Sequence, residues 1–265
     1  LGPRGLVMLA LSAVAAGCAA DGGSGETDPD ALVVGTADRV TALDPAGSYD
    51  NGSFAIMTQV YPFLLNSRPG SPDVEPDIAS SARFTSPTAY TVVLKPGLEF
   101  ANGHALTASD VKFSFDRQRK IAAVNGPSYL LGNLAEVTAV DDTTVVFTLK
   151  QGDDQTFPQV LSSPAAAIVD EEVFAADAVT ADADIVAGDA FAGQYRISRY
   201  AANEEVEFTA FAGHQGLLGA ARTATIRLRY FADTPGLRQA VEAGEIDVAH
   251  LGLALVCATF PVALA

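Results

Sequence analysis

The sequence predicts an α/β fold, because strand-like and helix-like hydrophobic spacings alternate along it. In Tyr90–Leu94 every second side chain falls on one apolar face, and Thr225–Tyr230 alternates in the same way. Helical spacing follows each of these strands, in the segments 107–120 and 234–243. Strands that alternate with helices pack the helices against a sheet. The chain has 265 residues, of which 49% are hydrophobic, and this is enough for two modest cores.

The first eighteen residues are typical of an export signal. Arg4 is their only charge, Leu6–Ala16 is apolar or small, and Cys18 follows Ala15-Ala16-Gly17. Such a run is a secretory signal and is too short to span a membrane as a helix. A cysteine in this place resembles the bacterial lipobox, so Cys18 is predicted to be the lipidated N-terminus; an ordinary signal peptide with an incidental cysteine is the alternative. Residues 19–31 then form a flexible tether.

The mature chain opens with a predicted strand, a loop and a helix. Leu32–Gly35 is a short apolar strand, and Leu43-Asp44-Pro45 ends the loop after it. Asp, Asn, Gly and Ser within residues 49–53 favour a loop with free backbone donors and acceptors. Ser53 is predicted as the N-cap of the helix that follows, which Pro62 ends or kinks.

The stretch after Tyr90–Leu94 contains two turns and then a helix. Pro96-Gly97 and Asn102-Gly103 are turn pairs. Thr107 is predicted to cap the helix, and the carboxylate of Asp110 stands three residues later, within reach of the free N–H groups of the first turn. The helix over 107–120 should bury its Val and Phe side chains.

The second half of the chain contains further strands. Val137–Val140 and Thr144–Leu149 flank two aspartates and predict a hairpin. Arg196–Tyr200 and Val206–Ala210 alternate as two more strands. Before the last predicted helix, Thr234 is the expected N-cap, with Pro235 at the first helical position and Gly244 as the stop.

Charge limits the classes of partner. The net charge is −16, from 32 acidic and 16 basic residues, so nucleic acid and anionic lipid headgroups are poor partners. Between Gln151 and Tyr195 there are nine acidic residues and no Lys or Arg. We interpret this segment as a solvated, mobile connector; a rim that attracts cations is the alternative. The two cysteines are Cys18 and Cys257, and lipidation of Cys18 would exclude a disulfide within the chain.

No catalytic or metal-binding constellation is predicted. His104, His214 and His250 stand far apart, without the spacing of metal ligands. Ser114 lacks the glycine context of a nucleophile elbow. His104 is predicted to be a surface loop residue in the Asn-Gly turn. The sequence therefore predicts no enzyme, no cofactor and no metal site.

Several motifs together resemble the signature of the extracellular solute-binding proteins of family 5, which serve peptide and nickel ABC importers. They stand in the order that the family has, from about Leu32 to Leu251, whereas Leu251–Ala265 carries no family motif. The motifs are Leu43-Asp44-Pro45, Lys95-Pro96-Gly97, Phe100-Ala101-Asn102-Gly103, Leu106-Thr107-Ala108-Ser109-Asp110-Val111, Ser114-Phe115, the 137–149 hairpin and Gly244-Glu245-Ile246-Asp247.

The resemblance implies a fold like that of type II periplasmic binding proteins, with a second lobe inserted in the first. Residues 32–65 and 185–251 would form part of lobe I, and residues 66–184 would form lobe II. Residues 252–265 would be an atypical apolar tail, and the family's C-terminal lobe would be missing. The resemblance also implies a short helix at 76–80 and another that begins at Phe157.

The resemblance further implies a solute-binding lipoprotein of an ABC importer. Such a protein captures peptides or similar small solutes outside the cell, is anchored by lipid to the outer face of the cell membrane or lies in the periplasm, and delivers its solute to the permease subunits. The alternative is a truncated fragment that does not transport and acts only as an exported structural or interaction protein. We expect that the chain as given does not bind solute tightly, because a ligand in a cleft is normally buried between two walls and one wall cannot do that.

The resemblance places the ligand contacts in the loop after Leu43-Asp44-Pro45, where an extended peptide can pair with the backbone. The residues expected to contact ligand are Tyr49, Asn51, Gly52 and Ser53. A plain surface turn that caps the following helix is the alternative for this loop.

Overall fold

The computed structural model describes residues 31–250, and the larger of its two main sheets has five strands in the order β11-β1-β10-β9-β8. β1 runs parallel to both β10 and β11, while β9 is antiparallel to β10 and to β8. The strands predicted from the sequence in this part of the chain are confirmed. The bounds are β1 Leu32–Thr36, β8 Tyr195–Ala201, β9 Glu205–Ala210, β10 Thr225–Tyr230 and β11 Val248–His250.

The second sheet has four antiparallel strands in the order β4-β5-β7-β6, and a small separate hairpin pairs β2 with β3. The predicted hairpin over 137–149 is confirmed, since β6 and β7 are its two arms. The bounds are β2 Leu65–Ser67, β3 Val74–Pro76, β4 Ala79–Ser86, β5 Ala89–Leu94, β6 Leu134–Ala139 and β7 Thr144–Leu149.

Five α-helices and two short 3-10 helices connect the strands of the described residues. None of these helices is long and apolar enough to cross a membrane. The α-helices are α1 Asn51–Val60, α2 Ala108–Ile121, α3 Phe157–Leu161, α4 Asp182–Gly188 and α5 Thr234–Glu242, and the 3-10 helices are Ser128–Leu131 and Pro164–Ala166.

The predicted cap of α2 is confirmed. The Ser109 backbone N–H donates to the Thr107 hydroxyl at 3.2 Å, and the Thr107 N–H donates to the Asp110 carboxylate at 2.8 Å, so the two side chains form a capping box. Asp110 also accepts a hydrogen bond from the Glu171 N–H at 3.1 Å. Burial raises the pKa of the Asp110 carboxyl in spite of these donors.

Three local predictions are wrong. Segment 76–80 is not a helix, because β3 ends in it and Ala79 begins β4, which pairs with β5. The N-cap of α1 is Asp50 rather than Ser53, and the N-cap of α5 is Asp233 rather than Thr234. In both helices an aspartate carboxylate accepts a hydrogen bond from the N–H three residues later. The cap therefore lies three residues before the predicted one in α1 and one residue before it in α5.

Each main sheet has its own hydrophobic core. α2 packs on the four-stranded sheet, where the rings of Phe115 and Phe147 meet edge to face at 4.9 Å. α1 packs on the five-stranded sheet, in a second core that also takes Ala167, Val169 and Phe174. The lobe boundaries 32–65, 66–184 and 185–251 remain a prediction.

A buried ion pair joins the two units of the fold, which are the four-stranded sheet with α2 and the five-stranded sheet with α1. The Arg117 guanidinium of α2 donates to both carboxylate oxygens of Asp44, one of them at 2.9 Å, and both side chains are inaccessible to solvent. The Asp44 carboxylate also accepts the Thr180 N–H at 2.6 Å, and Arg117 donates to the Ala178 carbonyl at 2.8 Å. The loop after β1 is therefore held against α2, and this fixes the position of residues 45–50.

The acidic segment between Gln151 and Tyr195 is structured, so its interpretation as a mobile connector is wrong. Its carboxylates are used as hydrogen-bond acceptors within the fold. Asp182 accepts from the Leu43 N–H at 2.8 Å and from the Tyr200 hydroxyl at 2.7 Å. Asp170 is buried and accepts from Asn102 at 2.9 Å.

Candidate functional site

The predicted ligand loop, residues 49–53, lies beyond the carboxyl end of β1. Thr36 stands opposite Tyr230 of β10 and His250 of β11, so three parallel strands end at this edge. Ligands of open α/β sheets bind in the crevice outside the carboxyl ends of the strands. The first turn of α1 packs here on the backbone of Arg39, so residues 49–53 lie at an edge suited to binding.

Gly52 and Ser53 have internal contacts. A Cβ atom on Gly52 would lie 2.0 Å from the carbonyl oxygen of Arg39, so only glycine fits there. The Ser53 hydroxyl donates to Asp50 at 2.9 Å and accepts from the Thr41 N–H at 3.0 Å. Both residues are buried. In this conformation they hold the loop in shape, and their contact with a ligand remains a prediction.

Tyr49 and Asn51 face solvent. The Tyr49 side chain is 45% exposed, and its ring meets Phe54 edge to face at a centroid distance of 4.9 Å. Asn51 is exposed at the first position of α1. The side chains of Tyr49 and Asn51 are available to a solute, whereas Gly52 and Ser53 are buried.

Tyr129 was not predicted from the sequence, although it lies beside Tyr49. The two rings meet at 5.5 Å with an interplanar angle of 73°, and Tyr129 is 64% exposed. It belongs to the 3-10 helix Ser128–Leu131, eighty positions away along the chain. The only local signal was an aromatic residue after the break at Asn125-Gly126-Pro127, and this says nothing about its spatial neighbour.

A polar group of side chains also lies at this edge of the sheet and was not predicted. The Tyr230 hydroxyl and one Asp38 carboxylate oxygen are buried without a hydrogen-bond partner. Burial, and then the Asp50 carboxylate, raise the pKa of Tyr230 far above its usual range. His250 lies 3.9 Å from Asp38. Among residues 31–250, no three His, Cys, Asp or Glu side chains are arranged to hold a metal ion.

His104 is a partly exposed loop residue, as predicted, and it has a specific partner that was not predicted. Its Nδ1 lies 2.8 Å from the buried carboxylate of Asp170, and its Nε2 lies 3.9 Å from Glu172. The hydrogen bond to Asp170 raises the pKa of the His104 imidazole. None of these residues belongs to the 49–53 loop.

Curated relatives match this chain over part of its length. The probable D,D-dipeptide-binding periplasmic protein DdpA of Escherichia coli K12 is 37% identical over 127 residues, which cover 46% of this chain and 24% of the relative. A putative ABC transporter peptide-binding protein of Brucella ovis is 28% identical over 181 residues, which cover 66% and 33% of the two chains. The chain thus spans about a quarter to a third of the length of these relatives.

Solved structures match nearly all of the described fold. OppA of Burkholderia pseudomallei superposes with a TM-score of 0.72 at 16% identity, over 84% of this chain and 46% of that one. The ABC transporter substrate-binding protein CtaP of Listeria monocytogenes gives a TM-score of 0.67 at 25% identity, over 83% and 44%. The fold is therefore that of the type II periplasmic binding proteins, over about half of their length.

The family model of the bacterial extracellular solute-binding proteins, family 5 Middle, matches residues 73–256. This range covers more than half of the chain and contains α2, the β6–β7 hairpin and β11. DdpA, the Brucella ovis protein and CtaP are likewise named as binding proteins. The chain belongs to the bacterial extracellular solute-binding proteins of family 5.

Proposed function

We propose that this chain forms one wall of a solute site for an ABC importer and that the loop 49–53 contacts a peptide or similar small solute in that site. The observation that carries the proposal is the placement of two exposed side chains, Tyr49 and Asn51, on a rigid loop beyond the carboxyl end of β1. Asp50 and Ser53 fix this loop by their mutual hydrogen bonds, so little conformational entropy is lost when a solute binds.

An extended peptide is the solute that suits this wall best. It carries backbone donors and acceptors that a polar wall can satisfy, and its side chains point alternately toward and away from that wall. Tyr49 would pack on the solute through its ring, and Asn51 would supply an amide that both donates and accepts. The similarity to a probable D,D-dipeptide-binding protein and to a putative peptide-binding protein supports the same solute class.

The test is a titration of the purified chain with di- to pentapeptides, followed by calorimetry. We expect saturable binding that Asn51→Ala and Tyr49→Ala each weaken. Ser80→Ala, an exposed position on the four-stranded sheet, is the matched control and should leave the affinity unchanged. Loss of all saturable binding in the unaltered chain would favour the alternative, an exported fragment with a structural or interaction role.

We further propose that Cys18 carries the lipid that holds the protein at the outer face of the membrane, close to the permease subunits. Cys18 lies outside the described residues, so the support is the sequence of residues 1–18 alone. Cys18→Ser should release the protein from the membrane fraction and remove the acyl mass, whereas Cys257→Ser should change neither. Retention of the Cys18→Ser protein at the membrane contradicts the anchor.

A further inference from the structure

Three aromatic rings, two of them exposed and the third partly buried, form a corner beside the candidate loop. We define the aromatic corner as Tyr49, Phe54 and Tyr129, with Tyr49 at its centre: it lies 4.9 Å from Phe54 and 5.5 Å from Tyr129, edge to face in both cases. Tyr49 and Tyr129 are 45% and 64% exposed. Single exposed aromatic residues are common, but a contiguous exposed cluster marks a binding surface.

Close backbone contact holds the corner in place. A Cβ atom on Gly126 would lie 2.2 Å from the carbonyl oxygen of Ala46, so the segment that carries Tyr129 packs directly on the loop that carries Tyr49. Leu131, in the same 3-10 helix as Tyr129, is buried in the core of the four-stranded sheet. The corner is therefore built from both units of the fold and is organised before a ligand arrives.

The chemistry of the corner favours an uncharged, flat ligand group. Tyr49 and Tyr129 present mainly ring surface, since their rings meet edge to face and both side chains are exposed. Asp50, the nearest acid in sequence, has its carboxylate engaged by Ser53. An aromatic ring of a ligand can pack edge to face on this surface, as the three rings of the corner already do with one another.

We propose that the aromatic corner binds an aromatic side chain of the solute, with Tyr129 as a specificity-determining residue. This inference rests on the proposed function, because it assumes that the 49–53 loop holds the solute. The aromatic corner would favour peptides that carry Phe, Tyr or Trp at the residue beside the 49–53 loop. An aromatic pair adds about 0.5–1.5 kcal/mol beyond burial, so the preference over an aliphatic side chain should be roughly 2- to 12-fold.

The chain suits a direct spectroscopic test, since it has seven tyrosines and no tryptophan. The unaltered chain, with its tyrosine rings labelled for NMR, is titrated with the tripeptides Ala-Phe-Ala, Ala-Leu-Ala, Ala-Arg-Ala and Ala-Asp-Ala. Tyr49→Phe and Tyr129→Phe assign the two signals. We expect Ala-Phe-Ala to shift both at the lowest concentration. Tyr129→Ala should reduce the affinity for Ala-Phe-Ala to that for Ala-Leu-Ala and leave the latter unchanged.

The variants separate this inference from the proposed function. Tyr129→Phe keeps the ring and should retain the aromatic preference, and Leu218→Ala, an exposed apolar control elsewhere, should change nothing. Equal affinities for the four peptides, or tightest binding of Ala-Arg-Ala, overturn the aromatic site while the peptide-binding function stands. If no tripeptide binds at millimolar concentration, both are overturned.

Discussion

At the scale of single residues, the buried Asp44–Arg117 pair is the contact whose loss should cost the most stability. Removal of one partner leaves a buried charge without compensation, which costs about 3–5 kcal/mol. Asp44→Ala should therefore lower the free energy of unfolding by an amount of this order, because Arg117 would keep only neutral partners: the Ala175 and Ala178 carbonyls, the Thr180 hydroxyl and the Phe174 ring. Urea unfolding followed by circular dichroism measures the change.

The matched control for Asp44 lies on the same helix. Asp116 forms an exposed pair with Lys112, one turn apart on α2, and such pairs are worth at most about 1 kcal/mol. Asp116→Ala should therefore change the free energy of unfolding much less than Asp44→Ala. Similar losses in the two variants would mean that the buried pair does not join the two units as described.

His104 should make stability depend on pH. Its hydrogen bond with Asp170 raises the pKa in the folded state, with smaller effects from Glu172 and Asp110. The unfolded value is about 6.5. The protonated imidazole therefore contributes stability that is fully present below about pH 6.5 and is lost as the pH rises through the folded pKa. The destabilisation caused by His104→Gln should be larger in acid than in alkaline solution.

Urea titrations of both proteins between about pH 5.5 and pH 9 test this sign. Glu172→Gln is the control, because this carboxylate lies 3.9 Å from the ring and should leave most of the pH dependence in place. A difference between wild type and His104→Gln that is flat with pH, or that grows toward alkaline pH, contradicts the assignment.

At the scale of elements, the sequence predicted correctly the elements that depend on contacts between residues close in sequence. The capping box of α2 lies within four residues of sequence, and the hairpin β6–β7 pairs neighbouring strands, so both could be inferred. Segment 76–80 could not, because its extended form depends on pairing with β5 and on contacts of Asp77 with Leu64 and Leu217. Tertiary hydrogen bonds overrode the helix that the family resemblance implied there.

The start of α1 depends on a glycine. A Cβ atom at position 52 would meet the Arg39 carbonyl oxygen at 2.0 Å, and this backbone group is held by the hydrogen bonds of the Arg39 side chain to the carbonyls of Asn203 and Phe231. Gly52→Ala should lower the free energy of unfolding by about 1–3 kcal/mol, as overpacking does. Asn51→Ala, at the exposed neighbouring position, should change it by less than about 0.5 kcal/mol. Thermal or urea unfolding distinguishes the two.

At the scale of the whole molecule, the candidate site was only half predictable. The 49–53 loop was inferred from its polar composition and from the family resemblance, and it lies where parallel strands end. Tyr129 and Tyr230 were not inferred, because each reaches this edge through the packing of a distant segment. The same packing explains why Ser53, an obvious candidate by composition, is buried as part of the helix cap.

The two main sheets should unfold together, because several contacts connect them, and two of these involve a buried carboxylate that a substitution can remove. The first is the Asp44–Arg117 pair. The second is the loop between β9 and β10, where the Leu217 N–H donates to Asp77 at 2.6 Å and Gln215 donates to the Gly97 carbonyl at 2.8 Å. Asp77 is buried, so its loss leaves the N–H of Leu217 without a partner.

Two buried tyrosines report on the two units, since Tyr90 lies in the core of the four-stranded sheet and Tyr195 in that of the five-stranded sheet. In the unaltered chain, their native NMR signals should disappear at the same urea concentration. In the variant Asp44→Ala with Asp77→Ala the two midpoints should separate, because each unit keeps its own core but loses both of these buried contacts with the other unit. Asp116→Ala with Ser80→Ala is the surface control and should keep the midpoints together. Separate midpoints already in the unaltered chain would show that these contacts do not couple the units.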